Sequence, residues 1–416
     1  MQINHLTLTN FRAFEQAKFE FQPRMNLLIG INGVGKSTVL DALRIALSRV
    51  LPKFTACIET RLSFSTDDIM IGHDQLAVEV NFQVSEIPFI CNVRREKSHK
   101  KVAIKPDSPQ ILQPIKTAEN QPLVVYFSTR RSILTEARLN PNRSLGNQSA
   151  AFADALTPRM LRLREFTDWW LVQEKLLGEN PQLAQRRIDA LNGAVSCFLD
   201  WCTDVRANRT SGKSKKTTLL LDKDGITLNI NQLSDGERGI LALILDLVQR
   251  LLQANPDLED PLQDGKALVL IDELDLHLHP RWQRMVVQKL TNIFPNCQFI
   301  ATTHSPQIIG EVQPTGLILL KKEDAQVVVI QEGLQSFGLD SSWILKHLME
   351  TEPRNKTVQA QINSIEDSLE EGDLELARNQ LDTLKRMIGS DDETSRFEAS
   401  INNLEALADE ADSEEE

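Results

Sequence analysis

Five cysteines are scattered along 416 residues, at Cys57, Cys91, Cys197, Cys202 and Cys297, and no two form a C-x-x-C pair. That odd, unpatterned set fits buried thiols in a reducing compartment better than a disulfide framework or a thiolate zinc site. Long apolar runs are also missing: none approaches the ~20 residues a membrane-spanning helix needs. The opening stretch MQINHLTLTNFRAF alternates as a strand does and lacks the basic-then-apolar layout of a secretory leader, so a cytoplasmic location is expected. No unit of roughly 20–50 residues recurs, which excludes solenoids and propellers.

What is present is an ordinary globular composition, 41% hydrophobic and 25% charged, long enough for two or three domains or one large core with an appendage. The formal net charge of −12 is unevenly spread, because residues 389–416 hold 11 acidic groups and one basic group. The rest of the chain is nearly neutral, with basic clusters at 94–101 (RREKSHKK) and 206–216 (RANRTSGKSKK). Such clusters are either solvated loops or contacts for a nucleic-acid backbone.

Residues 3–21 read as a hairpin, and RMNLLIG as a short buried strand entering a glycine loop. The stretches LAVEVNFQV and PLVVYFSTRR read as further strands, and 150–205 as mainly helical. LVLIDE and QFIATTHS are solid apolar runs, as expected of parallel strands covered on both faces. Beyond Ser336, apolar residues recur at three- and four-residue steps, with Gly372-Asp373 as punctuation. Amphipathic helices follow from that spacing, and the closing DEADSEEE is expected to be disordered.

The chemistry is concentrated in three segments. GINGVGKS fits G-x4-G-K-S with Gly30, Gly35, Lys36 and Ser37. Its glycines let backbone N–H groups curl around a phosphate at a helix N-terminus, where the dipole favours an anion. Asn32, Gly33, Gly35, Lys36, Ser37 and Thr38 form the expected nucleotide-binding set. Lys36 reaches the β- and γ-phosphates, and the Ser37 hydroxyl ligates Mg²⁺. ALVLIDE ends in Asp272 and Glu273, of which the first would hold Mg²⁺ and the second would orient or deprotonate the attacking water. FIATTHS delivers His304 at a strand end, as a γ-phosphate contact. His277 and His279, two residues apart, fit either a metal pair or capping and interface roles.

Between these segments lies NQLSDGERG, residues 231–239. With the phosphate loop, the Asp-Glu strand and the strand-terminal histidine, in this order, it resembles the ABC-type ATPases. LTLTNFRAF resembles the SMC/RecF branch of that class. The resemblance covers roughly residues 1–330. It implies an α/β, ABC-type P-loop ATPase head of mixed and parallel sheet flanked by helices, binding ATP and Mg²⁺. An inserted helical lobe at about 140–250 would carry the signature, and an all-α C-terminal extension would follow. The expected boundaries are 1–335 for the head, 336–405 for a helical arm and 406–416 for an acidic tail. The resemblance also places Arg12 near the phosphates and makes Asp275 the D-loop candidate. Ser234, Gly236 and Glu237 belong to the signature, with Ser234 and Gly236 of one head closing over the γ-phosphate held by a second. A homodimer or higher homo-oligomer is therefore expected.

Departures from the class narrow the branch. No clean Q-loop is visible, with Gln83 and the YFSTRR segment as the candidates. No long heptad arms are present, unlike SMC and DNA-break-repair heads, and no strand-borne acidic set suggests a nuclease centre. PLVVYFSTRRS, FTDWWLVQEKLL and the C-terminal segment resemble the PtuA-like ATPases of Septu antiphage systems. That resemblance implies a partner HNH nuclease (PtuB-like) and, in some systems, a retron reverse transcriptase with its DNA–RNA product. A RecF-like repair ATPase that binds DNA directly is the competing function. The patch Trp343, Ile344, Leu345 and Leu348 fits either packing onto the head or docking of another chain.

Overall fold

The computed structural model describes residues 1–57, 61–135, 148–158, 160–209, 217–324 and 326–414. The expected hairpin is β1 (Gln2–Phe11) and β2 (Phe14–Glu20), followed by β3 (Met25–Ile29) and α1 (Lys36–Phe54). Next come β4 (Gln75–Val84), β5 (Ile87–Glu96), β6 (Lys100–Lys105), α2 (Pro109–Lys116) and β7 (Leu123–Phe127). Two short strands, β8 (Leu134–Thr135) and β9 (Leu161–Arg162), precede α3 (Leu163–Glu179) and α4 (Pro181–Phe198). Strands β10 (Cys202–Arg209), β11 (Thr217–Lys223) and β12 (Ile226–Asn229) lead into α5 (Asp235–Ala254). Then follow β13 (Ala267–Ile271), α6 (Pro280–Ile293), β14 (Cys297–Thr302), α7 (Pro306–Ile309), β15 (Leu317–Glu323) and β16 (Gln326–Ile330). Helices α8 (Ser341–His347), α9 (Lys356–Glu371), α10 (Leu374–Ile388) and α11 (Asp392–Glu414) come last.

The solid apolar runs make a six-stranded sheet in the order β16-β15-β3-β14-β13-β7, parallel except for β16. Every residue of β3, β7, β13 and β14 is buried, which is why these strands do not alternate. Ile271 pairs with Ala301 on one side and Phe127 on the other, and Thr302 pairs with Leu28. The four carboxyl ends are therefore level, and the loops that leave them share one edge. Ligands of parallel α/β sheets bind at that edge.

A second, antiparallel sheet has the order β2-β1-β4-β5-β6. Helix α1 packs on β7, β13 and β14 of the first sheet and on β4 and β5 of the second. Most of its residues from Val39 to Phe54 are accordingly buried and apolar, leaving a narrow polar stripe through Asp41 and Arg44. Phe54 at its end meets Phe82 and Phe89 edge-on, with centroids 5.8 and 4.7 Å away. The Gln298 side chain ties the sheets together by accepting from the Ile3 N–H and donating to the Ile3 carbonyl, both at 2.8 Å. Gln83 donates to Gln2 at 2.9 Å beside this junction, at the amino end of β14. That position removes Gln83 as a sensor for a site at the opposite, carboxyl edge.

The segment expected as a helical lobe is mixed. Helices α3 and α4 pack on a three-stranded antiparallel sheet, β10-β11-β12, and α5 packs on those two helices. Its hairpin turns at Asp224-Gly225, both with positive φ, as a tight two-residue hairpin requires. Residues 210–216, which include most of the second basic cluster, lie outside the described residues.

The chain divides into two compact units, Met1–Ile344 and Leu345–Glu416. Within the first, Ser336 donates to the Val312 carbonyl, and Ile344 is wholly buried near Gly310. Ile344 therefore serves packing within the head unit. In the second unit, Ile362, Ile365, Ala377, Leu381, Leu384 and Ile401 form one core, flanked by Val358, Leu369 and Phe397. Thus α9, α10 and α11 cover one another's apolar stripes. Gly372 ends α9 at φ 78°, its N–H bonded to Leu369, and the Asp373 side chain then caps α10. Helix α11 continues through most of the segment expected as an acidic tail, and residues 415–416 lie outside the described residues. Among the described residues no helix is long and apolar enough to cross a membrane.

Candidate functional site

The loop after β3 has the backbone that a phosphate cradle demands. Gly30 sits at φ 140°, and a Cβ there would lie 2.3 Å from the Leu320 carbonyl oxygen. Gly35 sits at φ 109°, with the Phe14 ring 2.8 Å from where its Cβ would be. Neither position accepts a side chain. The buried Lys36 lies back across its loop, donating to the Gly30 and Ile31 carbonyls at 2.8 and 2.9 Å. Burial lowers its ammonium to about 8, against the opposing pull of Asp272, Glu273 and Asp275. Those three carboxylates mark where the counter-charge of the site lies.

Asp272 ends β13 and is buried to 9% exposure. Its Oδ1 accepts from Ser37 Oγ at 2.9 Å and from Thr302 Oγ1 at 2.8 Å. A carboxylate and a hydroxyl from two elements thus meet at one point, a hard-oxygen set suited to a small divalent cation. Thr302 has a second duty, because its Oγ1 accepts the Glu273 N–H at 2.7 Å. Glu273 is held at φ 49°, a left-handed conformation unfavourable for a residue with a Cβ. Asp275 accepts from Thr303 Oγ1 at 2.7 Å and from the His304 N–H at 3.1 Å, so it fixes where His304 leaves β14. Burial and the Lys36 charge lower the His304 pKa below its usual value, against the opposing pull of Asp275, Glu273 and Asp272.

One participant is absent from the expected set. Arg131, 5% exposed, follows β7 and donates to the carbonyls of Asp272 at 2.7 Å and Glu273 at 2.6 Å. Longer bonds run to Leu274 and Ser128. Its segment, YFSTRRS, is conspicuous in the sequence, but nothing local names the carbonyls it meets. Thr302 is equally hidden, a polar residue at the end of an apolar run.

Arg12 lies close to the phosphate-loop helix but is engaged with carboxylates. It donates to Asp41 of α1 at 2.9 Å and to Asp68 at 2.8 Å, and Arg44 shares Asp41 at 2.7 Å. His279 caps α6 by accepting the Arg281 N–H at 3.2 Å, and among the described residues no cluster fits a metal ion through His277 and His279.

The signature caps α5. Ser234 Oγ accepts the Glu237 N–H at 3.3 Å, and Glu237 Oε2 accepts from both the Ser234 N–H and its hydroxyl at 2.9 Å. Lys223 of β11 reaches the other Glu237 oxygen at 2.6 Å and lies 4.4 Å from the Trp201 ring centroid. Hydrogen bonds from Lys223 and Ser234 outweigh burial and lower the Glu237 pKa. Gly236 is buried, and a Cβ there would fall 2.2 Å from the His277 carbonyl oxygen. Ser234 and Asp235 are exposed. Glu237 is thus a structural member of the cap, whereas the Ser234 face of the helix N-terminus is open.

Comparison with known proteins agrees with this architecture. A family described as "AAA domain" matches residues 5–156, and one described as "AAA domain, putative AbiEii toxin, Type IV TA system" matches residues 137–310. The chain is 26% identical to "Retron Ec83 probable ATPase" of Escherichia coli, over 95% of this chain and 85% of that protein. It is 23% identical to "Septu protein PtuA" of Bacillus thuringiensis, over 89% of both chains. Among solved structures, an Smc head bound to the C-terminal winged-helix domain of ScpA aligns over 79% of this chain and 97% of that one, at 14% identity and TM-score 0.51. The fold is that of an SMC-type P-loop head, and the resemblance to Septu and retron ATPases extends over most of the chain.

Proposed function

We propose that this chain is an ATP-binding and ATP-hydrolysing regulatory subunit of an antiphage defence complex. In it two heads close on ATP and so control a separate HNH nuclease. The observation that supports catalysis is the junction at Asp272, where Ser37, Thr302 and the Glu273 backbone are joined within one buried network. The relatives named as Septu and retron proteins, matched over most of their length, support the defence setting.

The loop N–H groups and Lys36 bind the β- and γ-phosphates, and Ser37 with Asp272 would hold Mg²⁺. The ion, when bound, neutralises charge that develops on the transferred phosphoryl group. Glu273 orients the attacking water and takes its proton, and a ring N–H of His304 steadies the γ-phosphate. From a second head, the Ser234 hydroxyl and the N-terminus of α5 close over the same phosphate. Asp275 acts within its own chain by fixing His304. An HNH nuclease of the PtuB kind is the proposed partner. A retron reverse transcriptase with its DNA–RNA product is a further candidate.

Expression of the chain with its native neighbouring genes tests the assembly. Glu273→Gln is expected to trap an ATP-bound dimer by size-exclusion chromatography, whereas Lys36→Ala stays unable to bind nucleotide. Identical behaviour of the two variants in binding, size and phage protection would defeat the cycle. Tight, steeply salt-dependent binding of duplex DNA by the purified chain, without a partner, would instead support the RecF-like repair reading.

A further inference from the structure

Glu273 carries the proposed catalytic carboxylate on a backbone that is unfavourable by itself. A left-handed conformation is unfavourable for a residue with a Cβ, and it persists only where the surroundings over-determine it. Two groups do so here. The Thr302 hydroxyl accepts the Glu273 N–H at 2.7 Å, and the Arg131 guanidinium donates to the Glu273 carbonyl at 2.6 Å. Arg131 also grips the preceding carbonyl, of Asp272, at 2.7 Å with its other terminal nitrogen. A planar fork on consecutive carbonyls fixes both position and twist of the peptide between the two acids, which a single ammonium cannot do. Burial lowers the Arg131 pKa to about 10, so it remains a cation at neutral pH. Its hydrogen bonds run to main-chain carbonyls and not to the carboxylates of Asp272 and Glu273.

The next residue extends the connection. Ser132 Cβ lies 3.7 Å from where a Cβ of Gly239 would be, so the turn bearing Arg131 packs on the first turns of α5. The same helix meets the His277 carbonyl at Gly236. The helix whose N-terminus faces a second head therefore rests on two segments that flank Asp272 and Glu273.

We propose that Arg131 is a positioning residue for hydrolysis: it holds Glu273 in its catalytic backbone conformation and, through Ser132 and α5, ties that conformation to the placement of the signature Ser234. This deepens the ATPase reading above and rests on it. Ground-state nucleotide binding depends on the phosphate loop and Lys36, which Arg131 does not touch.

The test uses the full chain with Arg131→Lys and Arg131→Ala. It measures kcat and KM for ATP, the Kd of a fluorescent ATP analogue, ATP-dependent dimerisation and the melting temperature. Arg131→Ala is expected to lower kcat about ten- to a hundredfold, the scale of an ångström-level misplacement of a catalytic group. The analogue Kd, measured without Mg²⁺ so that Asp272 is not called on, stays within about threefold, because that binding uses the phosphate loop and Lys36. Arg131→Lys is expected to keep the melting temperature but to recover only part of kcat, since one ammonium replaces a fork. Full kcat in Arg131→Lys, or equal loss of affinity and kcat, would overturn the proposal. If Arg131→Ala fails to fold, Arg131→Lys decides alone. A wild-type chain that binds but never hydrolyses ATP would defeat the ATPase reading itself. Wild-type turnover retained by both variants would defeat only the role of Arg131.

Discussion

At the scale of single residues, the site depends on side chains that serve two masters. Thr302 donates to Asp272 and accepts from the Glu273 N–H, so one hydroxyl aligns both acids. Thr302→Val keeps the shape and removes that hydroxyl. It strands a part-buried N–H, at a cost of up to about 1–3 kcal/mol, and frees the Asp272 carboxylate to turn. Denaturant unfolding is expected to show that loss, and ATP turnover to fall further than nucleotide affinity. Unchanged stability and turnover would show that the hydroxyl aligns neither acid. Asp272, Glu273, Lys36, Ser37 and His304 were legible in the sequence because each stands in a dense local pattern at an element's end. Thr302 and Arg131 lie within the same motifs but cannot be singled out locally, since their partners lie 30 and 141 positions away and no local spacing encodes them. Arg12 shows the converse. A resemblance put it near the phosphates, and the structure adds the carboxylates of Asp41 and Asp68 that hold it.

At the scale of elements, the period-two and solid apolar runs anticipated the strands, because burial on one or both faces imposes those patterns directly. The β10–β12 sheet was missed for an equally physical reason: it is small, partly exposed and interrupted by a polar hairpin, so its alternation is weak. Helix α5 couples the two kinds of information. Its apolar body was visible, but its start is set by a capping box tied to Lys223 on that unforeseen sheet. The Ser234 hydroxyl therefore has a stabilising role as a cap and a proposed role toward a second head's phosphate. Substitutions separate them. Ser234→Ala loses about 0.5–2 kcal/mol as a cap residue, while Ser234→Gly loses only a few tenths. Both remove the hydroxyl. Thermal melts are expected to separate the two variants, whereas ATP-dependent dimerisation of a Glu273→Gln background falls equally in both. Dimerisation that tracks the melting temperature instead would reduce Ser234 to a cap.

At the scale of the whole molecule, charge divides along the same line as the contacts. Residues 345–416 hold 20 acidic and seven basic side chains, a net of −13, while residues 1–344 carry a net of +1. Folding does not require that division, since the core of the second unit is apolar and its helices cover one another. What stays exposed there is acidic surface with a few apolar residues such as Leu376 at 44% and Leu404 at 40%. A surface of that sign repels a nucleic-acid backbone and favours basic protein partners. The truncation that tests recruitment follows from the boundary. Residues 336–344 belong to the head, so a cut before Ser336 would strip Ile344 from its buried place. Ending the chain after Glu350 preserves α8 and Leu348 and removes the acidic helices. The shortened chain is expected to bind and hydrolyse ATP as the full chain does but to lose co-purification with the proposed nuclease partner. In the full-length complex, raising salt from 0.15 to 1 M shortens the screening length from about 8 to about 3 Å. Partner retention on an affinity column should then drop if ionic contacts carry it. A nuclease that stays bound to the shortened chain, at either salt, would move the docking surface onto the head.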